Sequence, residues 1–419
     1  MNDLLFVLAG AVLLFEMGFW VLRARELVET ASDRVPLVDP KRIALLPKNA
    51  PLISVVVPAH NEEAVIRDCL QSVLEQDYPR LELILVDDRS TDNTLAVAEQ
   101  LAGEKAPFKI VKVTDLPQGW TGKCHALHAG VRHASGEWLA FLDADSTLHK
   151  SAIAQCYHEA VNAHVNMITL SPQFVMKTFW EKALQPTFAA MSCILFPLAR
   201  VNDPSSPVAS ANGMFYLINR QAYDKIDGHR DVRNLAVEDI GIGMRVKASG
   251  LGLLFANGRK LLRTRMYTNF SQVVDGWTRI LSASMNYRMS TVLKYLGVHV
   301  LMSFPAFVLA LCFFAPAARE LWPNTWFILP AVVTLGASAV SAFYCTQMGA
   351  PKKLSGLFGL GNLMLIWVFI VIVKKILMKD ALQWRGTTYQ TSTYQPTRLN
   401  PVSSGLYHSS AGSALEEMN

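Results

Sequence analysis

The chain has 419 residues, 51% hydrophobic and 17% charged, with a mean hydropathy of +0.23. That is too apolar for an ordinary soluble protein and too charged for a pure membrane bundle, so the apolar residues must be segregated along the chain. A net charge of +5 falls short of the dense basic surface of a nucleic-acid binder, and six cysteines with no C-x-x-C or paired spacing exclude a disulfide framework or zinc site and fit a reducing compartment.

The first apolar run, residues 4–22 (LLFVLAGAVLLFEMGFWVL), has about the length that spans a bilayer core. Asn2 and Asp3 precede it, and Arg23 and Arg25 follow. This is the reverse of a cleavable signal peptide. Residues 1–25 therefore read as an anchor with its N-terminus outside and residue 23 onward inside.

From residue 50 the pattern changes to alternating strands and helices. A buried strand is expected at 53–57 (ISVVV), ending at Pro58, then a helix at about 62–76 and a strand at 82–86 that runs into Asp87 and Asp88. A helix from about Thr91 to Gly103, a strand at 109–113, a helix at 122–134 and a strand at 137–142 follow, the last running into Asp143-Ala144-Asp145. Such alternation implies an α/β fold, a mostly parallel sheet with helices on both faces, with ligands at the carboxyl ends of the strands. Both acidic clusters fall at such ends.

The acids can be read individually. Asp143 and Asp145, two apart at a strand end, can aim two carboxylates at one hard divalent cation, although acidic turn residues give the same pattern. Asp87 and Asp88, followed by Ser90 and Thr91, fit either a binding site or ordinary loop chemistry. Glu238 and Asp239 could supply a general base, or simply favour a helix N-terminus. Lys123 lies where a glycine turn enters a helix, a place suited to phosphate, but the P-loop spacing is absent. His125, His128 and His133 lack any partner pattern and read as surface or core residues.

Residues 179–201 are apolar but interrupted by Glu181, Lys182 and two prolines, and read either as an interfacial segment or as a core helix of the α/β domain. Three further apolar runs lie at about 295–316, 325–347 and 355–378, with Trp322, Trp326 and Tyr344 near their ends. Lys352 and Lys353 precede the last run, and Lys374, Lys375, Lys379 and Arg385 follow it, so the positive-inside bias cannot be met at both of its ends. Residues 395–419 are rich in Ser, Gly, Pro and Asn and read as a disordered tail.

The stretch VVVPAHNEEAVIRDCLQSVLEQDYPRLELILVDDRSTDNT resembles the opening of the inverting family 2 glycosyltransferases, and the match runs over about residues 50–290. The resemblance implies a GT-A catalytic domain there, flanked by the anchor and about three transmembrane helices at 295–380. It implies nucleotide-binding positions at Asn61, Glu62, Asp87 and Asp88, a Mn2+ or Mg2+ motif at Asp143 and Asp145 with Asp145 the direct ligand, and a general base at Asp239 with Glu238 beside it. PQGWTGKCHAL, VNDPSSPVASANGMFYLINRQAY and QWRGTTY are similar to the membrane subgroup that holds ceramide glucosyltransferase-like, hopanoid-associated and carotenoid glycosyltransferases. The expected partners are a nucleotide-sugar, a UDP-sugar first, a lipid acceptor and the membrane, with no nucleic acid. The expected location is the cell's inner membrane, multi-pass, with the catalytic domain cytoplasmic.

The chain departs from the family at the Q/R-x-x-R-W motif that follows the base in chain-building synthases and ceramide glucosyltransferases. Here the region reads DGWTRILSASMNYR, leaving Trp277 and Arg279 as candidates for the donor-binding role, with Arg279 or Lys123 on the diphosphate. The departure weighs against a processive polysaccharide synthase. The full set of acids weighs against a catalytically silent scaffold or sugar-nucleotide sensor.

Overall fold

The computed structural model describes residues 2–29, 35–41, 46–104, 108–285, 287–314, 328–347, 358–378, 382–384 and 387–389. Trp322, Trp326 and the tail at 395–419 lie outside the described residues. Packing divides the chain into two units.

The first unit is built on a seven-stranded sheet. Its strands are β1 (Ile53–Ala59), β2 (Leu81–Asp88), β3 (Phe108–Val113), β4 (Trp138–Leu142), β6 (Met167–Ser171), β8 (Phe215–Asn219) and β9 (Leu253–Asn257). Their order is β3-β2-β1-β4-β8-β6-β9. β1 pairs in parallel with β2 and β4, and β6 with β9, whereas β8 runs antiparallel to both β4 and β6. Every residue of β1 is buried, as a continuous apolar run with both faces covered requires. The helix Ile66–Leu74 buries Ile66, Cys69, Leu70 and Val73, one stripe at helical spacing.

β1 continues through Pro58 to Ala59, two residues past the expected end. Pairing with β4 stops at Val56↔Phe141, so Pro58, which has no N–H to give, lies beyond that ladder. A second sheet, β5-β10-β7, is formed by β5 (Ser146–Leu148), β7 (Gln173–Phe174) and β10 (Leu262–Thr264).

The second unit is helical. It contains Asn2–Glu29, Phe179–Leu195, Phe270–Ser284, Met289–Met302, Phe304–Phe314, Ile328–Gln347 and Phe358–Met378. Among the described residues, Met289–Ala310 and Gly359–Met378 are long and apolar enough to cross a membrane, while the apolar stretches Val7–Leu22 and Ile328–Phe343 are shorter. The helix Phe179–Leu195 packs within this unit, against Phe270–Ser284, Ile328–Gln347 and Phe358–Met378.

Glu181, which looked like an interruption of the 179–201 run, is a capping-box residue. Its carboxylate accepts the backbone N–H groups of Lys177 and Thr178, while the Glu181 N–H reaches the Thr178 hydroxyl. Gly361 lets the last helix approach closely, because a Cβ there would lie 2.3 Å from Thr187 Oγ1. The adjacent Asn362 is buried and ties two helices together. Its amide donates to the His299 carbonyl (3.0 Å) and to Ser303 Oγ (2.6 Å), and its oxygen lies 2.6 Å from His299 Nδ1.

Candidate active site

Lys123 sits in the first turn of the helix Gly122–Val131, which Thr121 caps by accepting the Cys124 N–H. Its ammonium is ion-paired with Asp143 Oδ1 at 2.7 Å and with Glu238 Oε1 at 2.8 Å. Asp143 leaves the end of β4, and Glu238 opens the helix Glu238–Ala248. The fold thus brings together three segments that are far apart in sequence. Burial alone would pull the Lys123 ammonium down, but Asp143, Glu238 and Asp239 more than offset this and hold it above its ordinary value.

Asp239 is held by backbone. Its Oδ2 accepts the Gly213 N–H at 2.6 Å, and its Oδ1 accepts the Ile240 N–H at 2.9 Å. Burial pushes its carboxyl well above the ordinary carboxylate value, Glu238 adds to the rise, and Lys123 opposes it. A partly exposed carboxyl with a raised pKa at a helix N-terminus can act as a general base near neutrality.

Gly213 did not stand out in the sequence, yet it is central here. A Cβ at that position would lie 3.0 Å from Lys123 Nζ and 3.1 Å from Asp239 Oδ2. Asn212 pins this turn to β6. Its N–H donates to Thr169 Oγ1 (2.9 Å), its amide to the Leu170 carbonyl (3.0 Å), and its Oδ1 accepts the Met214 N–H (3.2 Å). The signal available beforehand was the short Ala-Asn-Gly run between a proline-rich loop and a strand.

The remaining candidates fall into separate groups. Asp145 Oδ1 accepts from Ser146 Oγ (3.2 Å) and Thr264 Oγ1 (3.3 Å), on the second sheet. Asn61, at φ 56°, clasps the loop after β2: its Oδ1 accepts the Thr91 N–H (2.8 Å) and its N–H donates to Ser90 Oγ (3.1 Å). The Glu62 N–H donates to Thr94 Oγ1 at 2.7 Å. Asp88 pairs with the Arg89 guanidinium at 2.7 and 3.1 Å. Asp87 Oδ1 is buried with no hydrogen-bond partner, an acceptor left over at the end of β2.

Trp277 and Arg279 lie on the helix Phe270–Ser284 of the helical unit, where Trp277 is buried and stacks on Phe188 with ring centroids 5.4 Å apart. Within the QWRGTTY region, Leu382–Trp384 pairs antiparallel with Thr387–Tyr389. Of the three histidines after Lys123, His125 and His128 pack on Trp120, and His133 Nδ1 contacts the Ala129 carbonyl.

The mostly parallel sheet, with Asp87, Asp88 and Asp143 at its strand ends, has the GT-A fold. The solved mannosyltransferase PcManGT from Pyrobaculum calidifontis, in complex with GDP-Man and Mn2+, is similar with a TM-score of 0.52 at 19% identity, over 91% of this chain and all of that one. Residues 54–227 match the model of Glycosyl transferase family 2, and the chain is a glycosyltransferase carrying that family's domain. It is also similar to 4,4'-diaponeurosporenoate glycosyltransferases of Staphylococcus aureus. One, from strain MRSA252, is 28% identical over 63% of this chain and 69% of the relative. Another, from strain USA300, is 29% identical over 56% of this chain and 62% of the relative.

Proposed function

We propose that the chain transfers a sugar from a nucleoside-diphosphate donor to the hydroxyl of a lipid-type acceptor, with inversion at the anomeric carbon. The observation that carries this reading is the Lys123 ammonium held between Asp143 and Glu238, with the raised Asp239 carboxyl beside it. Asp239 takes the proton of the acceptor hydroxyl as that oxygen attacks the anomeric carbon. The bond from that carbon to the diphosphate oxygen breaks, and its electron pair leaves with the diphosphate. Lys123 supplies positive charge to that leaving group. The unpartnered Asp87 Oδ1 at the end of β2 accepts from the nucleoside, with Asp88 beside it in sequence and Asn61 and Glu62 after β1 as further nucleotide-binding positions. Arg279 and Trp277 are kept as further donor-side candidates.

The acids fit a divalent cation that arrives with the donor. Lys123 is one positive charge facing three carboxylates (Asp143, Glu238, Asp239), a site that repels a diphosphate unless more positive charge accompanies it. Among the described residues, no three His, Cys, Asp or Glu side chains converge to hold an ion alone. Asp145, with Asp143, would supply part of the shell, and phosphate oxygens and water the rest, as Mg2+ or Mn2+ accepts. When bound, the cation neutralises charge on the leaving diphosphate.

The membrane part of the reading is supported by two helices of spanning length and by the anchor-like charge pattern at 1–25. The carotenoid-type name of the Staphylococcus aureus relatives favours an apolar acceptor. We place the catalytic part on the cytoplasmic side of the inner membrane, with the cations after residue 22 inside. The test is nucleotide release by detergent-purified protein offered UDP- and GDP-sugars with Mn2+, with and without total lipid extract. Donor-specific release that rises with lipid supports the reading. Binding of a donor without turnover in any lipid overturns it in favour of a sensor, and a long polymer product overturns it in favour of a synthase.

A further inference from the structure

Lys247 lies eight residues after Asp239, about two turns further along the helix Glu238–Ala248. Its ammonium donates to four backbone carbonyls, those of Arg200 (3.2 Å), Asp203 (2.8 Å), Ser206 (2.9 Å) and Val208 (2.8 Å). Three N–H bonds serve four acceptors, so one is shared. Arg200 lies in the short helix Leu198–Val201, and the other three carbonyls come from the segment that follows it, Asn-Asp-Pro-Ser-Ser-Pro-Val, which is suited to this. Its two prolines have carbonyls but no N–H, which keeps the backbone out of regular ladders. The Asp203 carboxylate turns onto its own loop, accepting from the Ser205 N–H (2.9 Å) and hydroxyl (2.7 Å).

The same helix meets the same segment at two more levels. At its middle is Gly243, where a Cβ would lie 3.0 Å from the Ser210 carbonyl carbon and 3.1 Å from Ala211 N. At its start, Asp239 Oδ2 accepts the Gly213 N–H at 2.6 Å. Positions 239, 243 and 247 are spaced four apart, which places them on one face of an α-helix. One seam therefore runs the length of the helix, from a carboxylate on an N–H, past a glycine at backbone contact, to an ammonium on four carbonyls.

We infer that Lys247 and Gly243 are positioning residues for Asp239, fastening residues 200–213 along the helix so that the Gly213 N–H stays on the carboxylate. The catalytic consequence rests on Asp239 being the base; the seam itself does not. Without Lys247 the four carbonyls lose the one donor they share, only that of Asp203 keeping another in the Ser206 N–H, so the segment lifts and Gly213 leaves Asp239. A displacement of even part of an ångström at a reacting group costs rate out of proportion to binding.

The test uses the full-length protein in detergent and two readouts. The first is hydrogen exchange of the peptide containing Gly213, which needs no donor. In Lys247→Ala its exchange is expected to quicken about tenfold or more, as local opening allows. Propylammonium, which replaces the deleted chain and charge, restores protection, and 1-propanol does not. Gly243→Ala, which keeps Lys247, gives the same loss without rescue, and stands in if Lys247→Ala fails to fold. Arg220→Ala, which removes bonds to the carbonyls of Gly136 and Ala134, is the control for general destabilisation. The second readout is nucleotide release from UDP-glucose and GDP-mannose, where kcat falls about tenfold while KM stays within about twofold. Unchanged exchange at Gly213 in both seam variants, or a change matched by Arg220→Ala, overturns the inference. Quickened exchange with kcat unmoved keeps the seam but removes Asp239 as the base.

Discussion

The two units bury polar groups by different rules. In the sheet unit buried charge is met by charge and by N–H groups. Lys123 lies between Asp143 and Glu238, and Glu82 accepts from Lys109 (2.8 Å), Ser54 (2.6 Å) and the Ser135 N–H (2.5 Å). In the helical unit the buried polar contacts are largely neutral or local. Asn362 links His299 and Ser303, Thr278 and Ser282 bond back to carbonyls one turn earlier, and Glu181 is spent on capping its own helix. The difference follows from surroundings. A strand-end loop can converge donors on a carboxylate, whereas apolar helices satisfy their backbone internally and have little to offer a charge. The charged cluster therefore lies in the first unit, and the contacts named in the second are neutral bonds and close approach.

If that contrast is right, the largest effects come from the charged cluster. Asp239→Asn should lower transfer about a thousandfold or more, since it removes the proposed base at the same size, at the loss of one of the two backbone N–H bonds that the carboxylate accepts, while donor affinity changes little. Equal loss of donor binding, measured by calorimetry, would make Asp239 structural. Lys123→Met should cost about a hundredfold, the usual toll of one lost charge-stabilising donor. It should also move the acid limb of the pH–rate profile. Lys123 holds the Asp239 carboxyl down, so its removal lets that carboxyl rise, and the limb shifts to higher pH. A limb that stays in place would show that Lys123 and the base do not interact.

The helical unit should answer in stability and not in chemistry. Asn362→Leu takes the Asn362 partner from Ser303 Oγ and His299 Nδ1, while the His299 carbonyl keeps the Ser303 hydroxyl and N–H, at a cost of about 2 kcal/mol, and the loss should appear in thermal melting. Activity per folded molecule should remain. A variant that melts normally but fails to transfer would break the contrast by giving the helical unit a direct part in catalysis.

Much of the sheet unit was legible in advance because its signals are local. Residues 53–57, 82–86 and 137–142 are largely apolar runs and 109–113 a shorter alternating one, and each became a strand within a residue or two. What could not be read depends on distant segments meeting. Nothing in Phe215–Asn219 announces that it inserts antiparallel between β4 and β6, and nothing in an isolated Lys247 announces four carbonyls. The acids were visible as residue types at strand ends, but the partition among them was not. Asp143 joins Lys123, whereas Asp145 turns to Ser146 and Thr264. That partition is set by β10 and by the helix at Gly122–Val131, neither of which adjoins the motif.

Glu181 gives the smallest and sharpest test, because residue type and role point in opposite directions. A glutamate in an apolar stretch reads as a charge in the wrong place, yet its oxygen accepts two backbone N–H groups at the head of Phe179–Leu195. A cap requires an acceptor, not a full charge. Glu181→Gln keeps a carbonyl oxygen of the same reach and should change the melting temperature little. Glu181→Ala removes the acceptor and should cost about 1 kcal/mol, the usual toll of a lost cap. Equal losses in the two variants would mean that the negative charge itself matters there, and the helical unit would then bury charge by the same rule as the sheet unit.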